Sequence, residues 1–179
     1  MVRGRRQSQR RKKLIILRGL PGVGKTTRAK NLCDEYARLG LEAEIFSTDR
    51  YHESTNYTKG NFQRNHQQNR EDVFKALNRG VDLIIVDNTN ISLWEMWPYI
   101  HMGMRQGEYY ITMMELPKGY PQNYISINKL YSCCRHKIPK RKFRSFEARW
   151  EDAYNIWHVL NDSYSINRWE QCEEEWNVQ

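Results

Sequence analysis

Apolar residues fall in short runs separated by longer stretches in which they recur every three or four positions. Leu14-Ile15-Ile16-Leu17 is a continuous run of buried-strand size, and Arg28-Ala29-Lys30-Asn31-Leu32-Cys33 begins a helix that Gly40 would stop. Ala43 to Ser47 reads as a second strand, and Arg50 to Asn61, rich in polar residues, as a surface loop. A long helix is expected over Phe62 to Arg79, with His66, Arg70, Val73, Phe74 and Leu77 on one face and Gly80 as its stop. Val81 to Val86, ending at Asp87, is the strongest strand signal. Leu93, Trp94, Met96, Trp97, Ile100 and Met104 then recur at helical spacing, which favours core packing for these aromatics.

Tyr109 to Glu115 reads as a fourth strand, Asn123 to Cys134 as a helix and Phe143 to Leu160 as another. The last 19 residues fit a strand, a short helix or a fraying end. Strands that alternate with helices imply a parallel sheet with right-handed crossovers and helices on both faces, so a three-layer α/β protein is predicted.

Composition bounds the picture. A chain of 179 residues, 39% hydrophobic and 12% aromatic, suits one folded domain. No apolar run approaches the roughly 18 to 20 residues of a membrane span. The N-terminus lacks the apolar segment of a signal peptide. An intracellular protein, cytoplasmic or nuclear, is therefore expected. Cys33, Cys133, Cys134 and Cys172 show neither zinc-type hooks nor the density of a disulfide framework and are read as thiols.

The net charge of +8 is unevenly placed. Met1 to Lys13 holds seven basic residues and no acid, and Asn128 to Arg149 holds eight against Glu147 alone, so the remainder of the chain is acidic. Confinement of positive charge to a tail and to one segment before the last helices suits a polyanionic partner. The tail reads equally as an import address, a nucleic-acid arm or a solubilising leader.

The chemistry gathers around Gly19-Leu20-Pro21-Gly22-Val23-Gly24-Lys25-Thr26, followed by Thr27. This is the phosphate-binding pattern of glycine, four residues, then Gly-Lys-Ser/Thr, set between a strand and a helix as the pattern requires. Successive backbone N–H groups would point into one concavity at a helix N-terminus, with Gly19, Pro21, Gly22, Val23, Gly24, Lys25, Thr26 and Thr27 around the phosphates. Lys25 would reach the outer phosphates and Thr26 would offer a hard oxygen to magnesium. In an open α/β sheet ligands bind beyond the carboxyl ends of the strands, where Asp49 and Asp87 also fall. Asp49 is the better placed general base, with a turn or cap as its structural alternative. Asp87 ends its strand as a metal-orienting carboxylate does, or else satisfies the strand end together with Asn88-Thr89-Asn90.

Taken together, the phosphate loop, Ser47-Thr48-Asp49, Asp87-Asn88-Thr89-Asn90, the His66-x-x-Asn69 helix and Trp94-Glu95-Met96 with Pro98-Tyr99 resemble the P-loop polynucleotide-kinase-like family. This group contains the kinase-like domain of Nedd-four-binding protein two and its short relatives and, more distantly, phage 5′-polynucleotide kinase. The likeness covers approximately Lys13 to Trp157. It implies a P-loop kinase fold with a mostly parallel sheet of four to five strands and a basic helical lid. Residues 1–12 would be a disordered basic tail, 13–160 the kinase domain and 161–179 a C-terminal extension. The implied activity is transfer of the γ-phosphate of ATP, with magnesium, to the 5′-hydroxyl end of RNA or DNA. The resemblance implies Lys25, Asp49, Arg135 and Arg141 as catalytic, Thr26 and Asp87 as metal-side, and His52, His66, Asn69, Asn88, Asn90 and Lys137 as acceptor-side residues.

Two positions depart from that pattern. His52 stands where phage-type enzymes carry an arginine, and alignment on His136 puts Cys133-Cys134 where relatives have Arg-Asn. The transferring phosphate would then depend on Arg135, Lys137, Arg141 or Arg144 for its cation. A small-molecule kinase, and a nucleotide-binding protein whose catalysis has lapsed, are the alternative readings.

Overall fold

The strand Lys12–Arg18 (β1) is buried from Leu14 through Arg18, and the sheet is built around it. The computed structural model describes residues 11–54, 61–116, 125–134 and 138–177, with backbone alone for 52–54 and 172–177. After β1 come the helix Lys25–Arg38 (α1), the strand Ala43–Phe46 (β2), and the helices Asp49–Ser54 (α2) and Phe62–Arg79 (α3). The strand Leu83–Asp87 (β3), the helix Leu93–Gln106 (α4) and the strand Tyr109–Glu115 (β4) follow. Among the described residues four more helices follow: Ile127–Cys133 (α5), Lys140–Ala148 (α6), Ile156–Leu160 (α7) and Ser163–Asn177 (α8).

The described strands form one four-stranded sheet in the order β2-β3-β1-β4, with every pairing parallel. Alternation along β1 divides the apolar run between the faces. Leu14 and Ile16 join Ile84, Val86 and the inward residues of α3 and α4, while Ile15 and Leu17 join Leu83, Ile85 and α1 through Ala29 and Leu32. This is the predicted three-layer arrangement. Each fully buried aliphatic side chain contributes about 1.5–3 kcal/mol to holding it. A third cluster of Leu20, Ile91, Leu130 and Phe143 seats α5 and α6 on the phosphate loop, and these helices lie in the segment expected to be the basic lid.

Four local readings are corrected. Of the loop expected over Arg50–Asn61, residues 50–54 are helical, because Asp49, Arg50 and Tyr51 turn back onto Ser47 and Thr48 and the Tyr51 hydroxyl donates to Asp72 on α3 at 2.5 Å, and residues 55–60 lie outside the described residues. The inward face of α3 is Asn65, Asn69, Val73, Ala76 and Leu77, whereas Phe74 is 52% exposed. Counting only apolar residues rotates that face, since two buried amides belong to it. The helix expected over Phe143–Leu160 breaks between α6 and α7, where the Glu151 N–H donates to the Ile91 carbonyl at 3.0 Å and Asn155 caps α7 by accepting from the His158 N–H. Of the helix expected over Asn123–Cys134, residues 123–124 lie outside the described residues and the helix begins at Ile127, after Ser126, whose hydroxyl caps it by accepting from the Lys129 N–H. The C-terminal residues pack back as α8, with Trp169 against Trp97 at 5.5 Å between ring centroids. Residues 1–10, within the expected basic tail, lie outside the described residues.

Candidate active site

The phosphate loop leaves β1 at Gly19, whose N–H donates to the Thr89 carbonyl at 3.0 Å, so the loop and the strand-end segment 87–90 are tied from the start. Gly22 takes φ 82° and Gly24 φ 99°, left-handed geometry that a side chain would strain. A methyl group on Gly22 would also overlap the Leu130 carbonyl oxygen and lie 3.3 Å from the Cys134 nitrogen. The loop and α5 are thus in backbone contact.

Lys25 opens α1 and is only 8% exposed. Its Nζ donates to the Gly19 and Leu20 carbonyls at 2.8 and 3.1 Å, curling the side chain back into the loop. Burial lowers its pKa, opposed by the nearby carboxylates of Asp87 and Asp49 and by Cys134. The Thr26 hydroxyl donates to Asp87 Oδ2 at 2.7 Å. Burial raises the Asp87 pKa, against the stabilising effect of Thr26 and Lys25, and Asp49 raises it further by like-charge repulsion. Asp49 is therefore within electrostatic reach of both Lys25 and Asp87.

This arrangement suits phosphate chemistry. A cation stands at the loop, a hydroxyl and a carboxylate form a pair of hard oxygens beside it, and a second carboxylate flanks both. Thr26 and Asp87 fit a magnesium ion, which is held by one or two protein oxygens together with phosphate and water.

The remaining predicted residues divide by burial. Asn88 Oδ1 accepts from the Thr48 N–H at 2.9 Å and from its hydroxyl at 3.0 Å, fixing the segment that carries Asp49. Asn90, with φ 47°, donates to the Leu17 carbonyl at 2.7 Å and is 1% exposed. Asn69 is fully buried and donates to the Tyr99 hydroxyl at 2.8 Å, while its Oδ1 is buried without a hydrogen-bond partner. These three amides hold the frame of the site. His66 is half-buried on α3, and Arg141 is exposed on α6 with Arg144. Arg135 and Lys137 lie outside the described residues, as does the His52 side chain. Among the described thiols, Cys133 is exposed and Cys33 and Cys134 half-buried, none of them in a disulfide.

Sequence reasoning missed Arg18, the largest fully buried side chain among the described residues. Its guanidinium donates to the Asn90 and Ile91 carbonyls at 2.8 and 2.9 Å, to Glu115 at 3.1 Å and to the Glu151 carbonyl, and it lies 4.0 Å from the Trp150 ring centroid. One residue before the loop, Arg18 joins β1, β4, the 87–91 segment and the exit of the lid. Burial lowers its pKa, with Glu115 the main opposing charge. The only signal in the sequence is a charge placed directly after an apolar run. Glu151 likewise accepts from the Leu93 N–H at 2.7 Å, capping α4 from a distant segment.

Comparison with known proteins supports the fold. The chain is 33% identical to human NEDD4-binding protein 2 over 99 residues, 51% of this chain and 5% of that protein. Its fold resembles a chain of the Pnkp1/Rnl/Hen1 RNA repair complex, with TM-score 0.58 and 18% identity over 80% of this chain and 45% of that one. It also resembles Chaetomium thermophilum Kti12 in complex with ADP-AlF3, with TM-score 0.52 and 16% identity over 78% and 80%. Among the described residues no helix is long and apolar enough to cross a membrane. Residues 14–124 match the family described as an AAA domain, a span that takes in the phosphate loop, Asp49 and Asp87, and the chain belongs to that family of P-loop, kinase-like nucleotide-binding proteins.

Proposed function

We propose that this protein is an ATP-dependent, magnesium-assisted kinase that phosphorylates the 5′-hydroxyl end of a nucleic acid. The observation that carries the reading is the Thr26–Asp87 hydrogen bond beside the buried Lys25, with Asp49 tethered next to it because its neighbour Thr48 is bonded to Asn88. Phosphoryl transfer asks a protein mainly for positioning and charge compensation. Lys25 would leave the Gly19 and Leu20 carbonyls for the outer phosphates. Thr26 and Asp87 would hold the metal, which supplies charge neutralisation when bound. Asp49, at the start of α2, would accept the proton of the attacking hydroxyl.

A nucleic-acid acceptor is favoured by the exposed cations Lys140, Arg141, Lys142, Arg144 and Arg149 on and just beyond α6, a helix that packs through Phe143 in one cluster with Leu20 of the phosphate loop. The reading extends to this chain the nucleic-acid setting named for the RNA repair complex among its fold neighbours. Arg135, Arg141 and Lys137 are proposed as the lid cations, and His52 and His66 as acceptor contacts.

The test is incubation with γ-labelled ATP and 5′-hydroxyl oligonucleotides, RNA and DNA, single- and double-stranded. Label should appear on the 5′ end and be lost in Asp49→Asn, while nucleotide binding persists. ATP binding without transfer to any oligonucleotide would refute the proposal, and transfer to a small alcohol alone would replace it with a small-molecule kinase.

A further inference from the structure

Three large aromatic side chains are left facing solvent close to one another in sequence: Tyr154 at 78% exposure, Trp157 at 57% and Tyr164 at 58%. The fold does not use them for packing. The helix α7 docks through Ile156, Val159 and Leu160, and the Leu160 carbonyl accepts from the Trp97 indole at 3.2 Å. Tyr154 is stacked on His158 with centroids 4.9 Å apart and planes 23° from parallel, so one ring is held flat by another. Beside Tyr154 and Trp157 lies a shallow, open surface depression lined by these two residues with His158, Asn161 and Asp162, among others.

The position of this shelf gives it meaning. Tyr154 lies three residues beyond Glu151, which is fastened to the Ile91 carbonyl and to Arg18 at the carboxyl edge of the sheet. Upstream run the exposed cations of α6 and Arg149. Downstream, Arg168 donates to the Tyr164 hydroxyl at 2.9 Å and lies over the Trp94 ring at 3.6 Å. Aromatic faces flanked by cations bind unpaired bases with their phosphates alongside, and such stacking tolerates any base. Asp162 lines the depression, engaged by the Ser165 N–H and hydroxyl, so the depression itself suits a base and the phosphates belong to the flanking arginines and lysines.

We infer that Tyr154 and Trp157 form a stacking site for unpaired nucleobases of a single-stranded acceptor, downstream of the end that enters the catalytic site. This rests on the polynucleotide reading above. It adds that the enzyme holds the body of a single strand by its bases as well as by its charge, and so favours single-stranded over fully paired acceptors.

The test measures anisotropy of a 3′-labelled single-stranded dodecanucleotide, an abasic strand of the same length and a duplex, with the wild-type full chain and with Tyr154→Ala/Trp157→Ala. Both changed residues are exposed, and circular dichroism checks that the double variant is folded. Stacking predicts a loss of about tenfold or more on the single strand, little change on the abasic strand, and rescue when Trp157 is replaced by Phe instead. Equal loss on the abasic strand, an unchanged affinity for the normal strand, or no binding by the wild type would overturn the inference. So would sedimentation showing a wild-type dimer that the double variant abolishes, since the face would then join two copies. Tight, shelf-dependent binding without any 5′ phosphorylation would refute the kinase reading alone. Phosphorylation with a shelf-independent affinity would refute the shelf alone.

Discussion

Replacing Gly22 by alanine, and Gly24 by alanine in parallel, separates the strain of the phosphate loop from its contact with the lid. Both glycines have left-handed φ, 82° and 99°, so each substitution carries the conformational penalty of about 1–2 kcal/mol. A methyl group on Gly24 meets nothing within 4 Å. On Gly22 it overlaps the Leu130 carbonyl oxygen and comes within 3.0 Å of that carbonyl carbon, and both are backbone atoms that move only if α5 moves. Lifting α5 draws Leu130, 1% exposed, out of its cluster with Leu20, Ile91 and Phe143. Losing that burial costs roughly a further 1.5–3 kcal/mol. At about 2–4 °C per kcal/mol for a chain of this size, Gly24→Ala should lower the melting temperature by about 2–8 °C, and Gly22→Ala by roughly 3–12 °C more. Melting is followed without nucleotide, because both changes disturb phosphate binding. Hydrogen exchange should show Ile127–Cys133 deprotected in Gly22→Ala alone. Equal melting temperatures for the two variants, with equal protection of α5, would show that the lid does not rest on the loop in solution.

Other consequences can be checked separately. Burial raises the Asp87 pKa, so the folded state takes up this proton at a higher pH than the unfolded chain. The Asp87 contribution is therefore full at low pH and lost as pH rises through the folded value, and wild type should gain stability relative to Asp87→Asn on acidification from neutral pH; a constant difference in denaturant midpoints would refute this. Arg18→Ala leaves several buried carbonyls without their donor and should destabilise the fold by about 3–5 kcal/mol, read from urea unfolding; a change under 1 kcal/mol, roughly the level of an ordinary surface substitution, would contradict the role described. Cys134 lies against the loop beside Lys25 and Cys133 is exposed, so ATP should slow maleimide labelling of Cys134 and leave Cys133 unaffected, as mapped by mass spectrometry; equal labelling of both with and without ATP would count against that placement.

What the sequence made legible follows from how local each signal is. Leu14 to Leu17 and Leu83 to Val86 are continuous apolar runs because their strands are buried on both faces, and the phosphate loop is a contiguous motif, so all three stand out without a partner. The helix at Asp49–Ser54 depends on Tyr51 reaching Asp72, and the inward turn of Asn65 and Asn69 depends on partners such as Tyr99, so neither is visible in a local window. The break between α6 and α7 likewise answers to Arg18 and Ile91, more than fifty residues away. The frame of the site is made by such distant pairings, whereas the residues proposed for its chemistry lie mainly in short motifs.

Arg18 also has a consequence for the order of folding. Its four hydrogen-bond partners lie 72, 73, 97 and 133 residues further along the chain. Contacts of such separation carry large loop-closure entropy and form only after nearer ones have shortened the effective loops. The sheet β3-β1-β4 must therefore be largely assembled, and the Trp150–Glu151 segment returned to it, before the guanidinium has its full set of acceptors. The corner on which the phosphate loop and the lid both rest is completed late. A substitution at Arg18 should consequently accelerate unfolding far more than it slows folding, and a nascent chain would acquire a nucleotide-competent loop only after the residues following α6 had emerged.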